Sequence, residues 1–254
     1  SEHCLEGDTV LAGSRIVLLG LFIVVGSTLL LLFCLIRPFH PNNTPIAAHW
    51  YGRMHRLLGV KLDIRVPPEI AEGGPYVYIA NHQNSYDLFT LARAMPMNSV
   101  SIGKKSLKWI PFFGQLYWLA GNILIDRNNK GRAHGTIEQA AAAIRKQKIS
   151  ILLFPEGTRS YGRGLLPFKT GAFRTALQAG VDIVPICVSN LHQRIKLNRW
   201  DNGTVIIELL KPVRIADYAS DSVRELTAHC YQLMRTKIAA LDNELAQGAV
   251  SHGK

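Results

Sequence analysis

At 254 residues with 48% hydrophobic content, the chain can bury a full core, and its length fits one domain of ordinary size plus a membrane element. Formal net charge is +11, and nearly all of the excess lies between Ser101 and Thr175, where thirteen Lys and Arg face three Asp and Glu. That segment meets something anionic. No Lys/Arg runs interleave with aromatics and no helix-turn-helix or RNA-binding signature occurs, so the expected partners are phospholipid headgroups and a phosphorylated substrate, not nucleic acid. The four cysteines, Cys4, Cys34, Cys187 and Cys230, are far apart and none forms a C-x-x-C pair, which suggests neither a metal site nor a disulfide framework. They are expected to be reduced and buried, as in a cytosol-facing protein.

In chain order, fifteen mostly polar residues precede Ile16–Ile36, a run without a charged residue between Arg15 and Arg37. Its 21 residues would extend about 31 Å as a helix, enough to cross a hydrocarbon core of roughly 30 Å. The run exceeds the apolar stretch of a signal peptide and no small-x-small cleavage site follows, so a retained membrane helix is the reading. Arg37, Arg53, Arg56 and Lys61 outweigh Arg15 and its acidic neighbours, which puts the body of the protein on the cytoplasmic side of its membrane. From Pro45 to Gly59 a helical pattern gathers Ile46, Trp50, Met54, Leu57 and Leu58 on one face and His49, Arg53 and Arg56 on another. Such a basic amphipathic helix suits the headgroup layer of an anionic membrane, and packing on a domain core suits it equally. Residues 1–60 are thus expected to anchor and 61–254 to form the working domain. Deleting residues up to Phe39 is expected to leave a peripheral, salt-sensitive protein.

From Lys61 onward strand and helix patterns alternate. Strands are expected at Leu62–Val66, Tyr76–Ala80, Val100–Gly103, Ile123–Asp126, Ser150–Phe154, Ile183–Val188 and Val205–Leu210, with a clear helix at Arg132–Lys146. A last helix opens at Ser222-x-x-Glu225 and buries Val223, Leu226, Cys230, Leu233 and Leu241. The fold class is α/β, a central, largely parallel or mixed sheet flanked by helices. The polar, basic loop from Leu191 to Gly203 suggests no function.

The chemistry concentrates at strand ends. Tyr76–Ala80 runs into Asn81-His82-Gln83-Asn84-Ser85-Tyr86-Asp87, where His82 can take a proton from a hydroxyl if Asp87 holds its far ring nitrogen. The pair can meet only if the turn folds back before a helix starts near Tyr86. Phe154-Pro155-Glu156-Gly157-Thr158-Arg159-Ser160 follows another strand, so it lies on the same side of the sheet, where open α/β sheets bind ligands. Gly157 permits close backbone approach, and Arg159 can hold a phosphate with two parallel hydrogen bonds. Gly121–Arg127 places Arg127 beyond a third strand, Lys104-Lys105 follow a fourth, and the proline of Val184-Pro185-Ile186 is expected to shape a strand edge or bulge. Ser85 is close to His82, yet no Gly-x-Ser-x-Gly elbow accompanies it, which disfavours a serine hydrolase.

Asn81–Asp87, Gly121–Arg127, Phe154–Ser160 and Val184–Ile186 resemble, in order, the four blocks of the glycerolipid acyltransferase family, and Gly103–Gly114 and Pro167–Phe173 fit as well. The likeness spans about Tyr51 to Leu241 and leans to proteobacterial members, and the Glu-Gly-Thr-Arg of the third block is similar to members that acylate lysophosphatidate. It implies transfer of a fatty acyl group from acyl-CoA or acyl carrier protein to the sn-2 hydroxyl, with no cofactor beyond that thioester and no metal. It also implies His82 as general base and Asp87 as its orienting carboxylate. Lys104, Arg127 and Arg159 are then candidates for the substrate phosphate, with Gly157 beside them and Lys105 undecided against Lys104. Glu156 is expected to hold the sn-1 glycerol region or to fix Arg159. The alternatives are another lysophospholipid as acceptor, or a membrane lipid- or CoA-binding protein without activity.

Overall fold

The structure is a computed structural model and describes residues 2–71, 73–125, 133–219 and 221–251. Seven strands form one sheet: β1 (Lys61–Arg65), β2 (Val77–Ala80), β3 (Ser99–Lys104), β4 (Ile123–Ile125), β5 (Ser150–Leu153), β6 (Ile183–Val188) and β7 (Thr204–Leu209). Their order is β1-β7-β6-β2-β5-β3-β4. Five strands from β6 to β4 run parallel, whereas β7 joins β6 antiparallel and β1 joins β7 parallel. Each of the seven expected strands is present, with ends shifted by a residue or so. The Asp126 end of the fourth lies outside the described residues.

Strand alternation divides the core into two layers. Val77, Ile79, Val100, Ile102 and Ile151 face one side and pack on α5 (Ala133–Gln147), α6 (Gly171–Ala179) and α7 (Val223–Ser251). Within α7, Val223, Leu226, Cys230 and Leu241 are buried, Leu233 only partly, and Met234 completely. Tyr78, Ala80, Leu152, Val184 and Ile186 face the other way, so a one-residue slip of any central strand would exchange its two faces. That second face is covered by short helical turns, by α2 (Asn43–Gly52) and α4 (Phe113–Leu119), and outermost by α1 (Glu2–Ile36); α3 is the single turn Pro68–Ala71. Cys34, Cys187 and Cys230 are free and buried.

Three expectations change. The first helix runs back to Glu2, and it docks on the domain with one face: Leu11, Arg15, Ser27, Leu30 and Cys34 are buried while Val17, Leu21, Val25 and Leu32 point out. Arg15 donates to the carbonyls of Leu197, Arg199 and Trp200, so the polar loop before β7 grips the N-terminal helix. The second helix stops at Gly52, gives way to a 3₁₀ turn at Arg53–His55, and packs against α1 and α4. Its expected face breaks there: Trp50 stacks on Phe22 at 5.0 Å between ring centroids, whereas Leu58 joins the core under the sheet. Pro185, finally, lies in a buried internal strand. Pairing of β6 with β7 begins one residue later, at Ile186, so the missing proline N–H falls where that ladder starts.

Candidate active site

The apolar strand β2 ends at Ala80 and the next residues are fastened by their own side chains. Asn81 exchanges two hydrogen bonds with the backbone of Val188, its Nδ2 donating at 3.0 Å and its Oδ1 accepting at 2.9 Å. Gln83 donates to Ser189 O and accepts from Leu191 N–H. These amides repeat, across the end of the sheet, the exchange that backbone ladders make within it. His82 is therefore set on a turn tied to β6. Asn84 caps the 3₁₀ turn Ser85–Leu88 by accepting from Tyr86 N–H, and that early turn reverses the chain enough for Asp87 to reach back to His82.

The His82 Nδ1 to Asp87 Oδ2 distance is 2.6 Å, and the same oxygen accepts from the Gln83 and Asn84 amides at 2.8 and 3.3 Å. Three donors thus converge on one buried carboxylate oxygen, an acceptor that places the imidazole N–H on Nδ1. Nε2 then carries the lone pair; it makes no hydrogen bond among the described residues, and the side chain is 22% exposed. Phe154 stacks on the ring at 4.2 Å between centroids, which fixes its plane.

The segment after β5 closes over this turn. Ser160 N–H donates to His82 O and Tyr161 N–H to Gln83 O. Glu156 is 3% exposed: Oε1 accepts the His82 amide at 2.7 Å and Oε2 the Leu166 amide at 2.8 Å. Burial pushes its carboxyl above the usual range, and the two amides pull part of the way back. The expected fixing of Arg159 by Glu156 is not seen, since both oxygens accept backbone amides behind His82. Arg159 instead donates to the hydroxyls of Ser85, at 3.1 Å, and Tyr161, at 3.2 Å. Ser85 thus serves the guanidinium and is not bonded to the imidazole. Gly157 has φ +70°, a conformation that favours glycine, whereas a Cβ there would meet only the flexible end of the Lys169 side chain.

His82, Asp87, Glu156, Gly157 and Arg159 form one cluster at the C-terminal ends of β2 and β5. Lys104 ends β3, two strands from β2, or roughly 10 Å at about 4.8 Å per strand, with its side chain exposed. Arg127 lies outside the described residues. Sequence reasoning missed Phe154 as the ring under His82, Ser85 and Tyr161 as the hydroxyls that hold Arg159, and the anchoring amides of Asn81 and Gln83. The sequence signal for Asn81, Gln83, Ser85 and Phe154 was membership of the same two strand-end blocks, and Tyr161 directly follows the second of them.

Residues 61–189 match the protein family described as Acyltransferase. The chain is 53% identical over 216 residues to the 1-acyl-sn-glycerol-3-phosphate acyltransferase of Salmonella typhimurium, covering 85% of this chain and 88% of that one. It is 48% identical over 236 residues to the protein of the same name in Haemophilus influenzae, covering 91% and 98%. In fold it is similar to the crystal structure of the 1-acyl-sn-glycerophosphate (LPA) acyltransferase of Thermotoga maritima, with TM-score 0.74, 19% identity, and coverage of 92% and 95%.

Proposed function

The chain belongs to the Acyltransferase family, and from that premise we propose that it transfers a fatty acyl group from a thioester to the sn-2 hydroxyl of lysophosphatidate, giving phosphatidate. The observation that carries the reading is the His82–Asp87 pair: a buried carboxylate 2.6 Å from Nδ1, with Nε2 turned to an open strand end. His82 Nε2 takes the proton of the sn-2 hydroxyl as its oxygen attacks the thioester carbonyl, and Asp87 stabilises the imidazolium that forms. The tetrahedral intermediate collapses with loss of the thiolate, which takes the proton from Nε2. A thioester is already activated, so no acyl-enzyme is needed, and the protein's task is positioning and charge stabilisation.

Arg159, held by two neutral hydroxyls and partnered by no carboxylate in the described hydrogen bonds and ion pairs, is the residue offered to the acceptor phosphate, with Lys104 and Arg127 as the further cations. Acyl-CoA and acyl carrier protein are both donors of the required chemistry. The exposed apolar face of α1, within a 28-residue stretch whose most apolar 18-residue window has mean hydropathy 2.9, supports residence at a bilayer; the basic residues that follow it favour the domain on the cytoplasmic side of the inner membrane, in contact with anionic lipids.

The test is turnover by the purified protein on a panel of lysophospholipids, with acyl-CoA and acyl carrier protein as donors, beside His82→Ala. Lysophosphatidate should be the preferred acceptor, and the variant should lose at least about 10²-fold, the usual lower bound for general-base catalysis. Retention of a tenth of wild-type turnover in His82→Ala would overturn the general-base assignment. Equal turnover of a lysophospholipid without a phosphate monoester would overturn the acceptor assignment.

A further inference from the structure

The β4 edge of the sheet carries a cleft that the catalytic cluster does not use. It measures about 630 Å³, within the roughly 300–1,000 Å³ of small-molecule sites. It lies three strands from the one that carries His82, or roughly 14 Å across the sheet. One wall is α5, where Ala142 and Ala143 leave room; the other is Phe39 and Trp118, packed edge-to-face at 5.2 Å. Ile123 and Leu124 of the edge strand line the floor.

Two properties of this cleft identify its ligand. Its charged lining among the described residues is Lys105, Lys108 and Lys146, so it is a mixed trough, apolar side chains and amides beside ammonium groups, which suits an anionic amphiphile. It also opens beside the C-terminal end of α1, since Phe39 donates its amide to Leu119 O three residues beyond Ile36. Trp118 of the lining is substantially exposed, as are Trp109, Ile110 and Phe112, which follow Lys108 in the chain, and Lys108 Nζ rests 4.6 Å from the Trp109 ring centroid. Exposed tryptophans interleaved with lysines at the end of an apolar helix are the composition of a headgroup layer.

We propose that the cleft seats one anionic phospholipid of the surrounding bilayer, an acyl chain lying along Phe39, Trp118 and Ile123 and the headgroup phosphate among Lys105, Lys108 and Lys146. The lipid fixes the β4 edge at the membrane surface. The proposal rests on the membrane residence of α1. The experiment uses the full chain in nanodiscs doped with diazirine-bearing phosphatidylglycerol or, in parallel, diazirine-bearing phosphatidylcholine, with crosslinks mapped by mass spectrometry. Peptides containing Phe39 and Trp118 should be labelled severalfold more by the phosphatidylglycerol probe, whereas the outward face of α1 takes up both probes alike. Ala142→Trp, which fills the trough, and Lys146→Gln should each cut the cleft label severalfold with α1 labelling, thermal unfolding and acyl transfer unchanged. Equal labelling of the cleft by both probes overturns the proposal, as does a cleft label that neither variant reduces. Loss of the label in excess lysophosphatidate also overturns it, because the cleft would then be part of the acceptor's path. Absence of any label on α1 would instead indict the membrane reading.

Discussion

Asp87 Oδ2 takes three donors while its Oδ1 is buried with no partner among the described residues. In Asp87→Asn the amide oxygen can keep the three donors, which preserves the imidazole tautomer, but the amino group enters the unpartnered position and the negative charge is gone. Turnover should therefore fall by about 10²–10⁴-fold through loss of imidazolium stabilisation, with binding of lysophosphatidate nearly unchanged; single-turnover kinetics with both ligands saturating separate the two. Glu156 is a positioning residue of another kind, since two amide donors meet two oxygens and glutamine can accept only one of them. Glu156→Gln leaves one amide unmet but also removes a buried charge, so it should disturb the His82 turn and lower kcat more than it raises KM, with little loss of stability. Protonating the wild-type carboxyl has the same local effect, and its raised pKa brings that loss in above the ordinary carboxylate range. Because folding raises this pKa, a falling pH takes no stability from this group between its unfolded and folded values. The acid limb of kcat/KM should thus be steeper than one proton can make it, without parallel unfolding; a single-proton limb would count against the clamp. Arg159→Lys keeps the charge but loses the planar fork, and should raise KM for lysophosphatidate well above any change for the acyl donor. His82 and Asp87 were legible because a strand, a turn and a carboxylate are local in sequence. The Glu156 clamp was not, because its acceptor geometry is set by backbone amides 74 and ten residues away, which no side-chain motif records.

At the scale of elements, the strands were readable because buried parallel strands are continuous apolar runs with turn residues at each end. The docking of α1 was hidden for the opposite reason: a helix apolar on every side carries no period that marks the inner face. Two small residues mark it in retrospect. A Cβ on Gly26 would stand 2.2 Å from Trp50 Nε1, and Ser27, wholly buried, hydrogen-bonds the hydroxyl of Tyr51. Gly26→Leu should consequently push Trp50 off Phe22 and destabilise the α1–α2 contact by about 1–3 kcal/mol, the usual cost of overpacking. Thermal unfolding in detergent, followed by tryptophan fluorescence, reads this directly, and an unshifted melting point would mean that the two helices do not pack as described. The second helix was overextended because its apolar spacing continues past Gly52. The backbone turns there into a 3₁₀ segment, and Leu58 is drawn under the sheet by β1, a tertiary pull that local spacing does not register.

For the whole molecule, α1 has two duties that sequence reasoning had merged into one. Its inner face completes the layer formed by Tyr51, Leu116 and Leu119, and Arg15 is spent on three carbonyls of the loop before β7. Its outer face, Val17, Leu21, Val25 and Leu32, is between 45% and 68% exposed. Deletion of residues 2–36 would uncover that layer as well as remove the exposed apolar face, so aggregation, not the expected peripheral protein, is the predicted outcome of truncation. Membrane residence is separable from folding only on the outer face. Replacing Val17, Leu21, Val25 and Leu32 by serine withdraws four apolar side chains from lipid at about 1.5–3 kcal/mol each, the range for burying a Val or Leu, while every inner contact stays. The quadruple variant should melt in detergent like the wild type, appear in the supernatant after a carbonate wash that leaves the wild type in the pellet, and keep its turnover on dispersed substrate. Its turnover on lysophosphatidate embedded in vesicles should fall further, because a one-tailed acceptor is drawn from the bilayer only by an enzyme that stays there. A variant that still sediments after the wash, or that acts on vesicles as well as the wild type, would sink the assignment of this face to lipid.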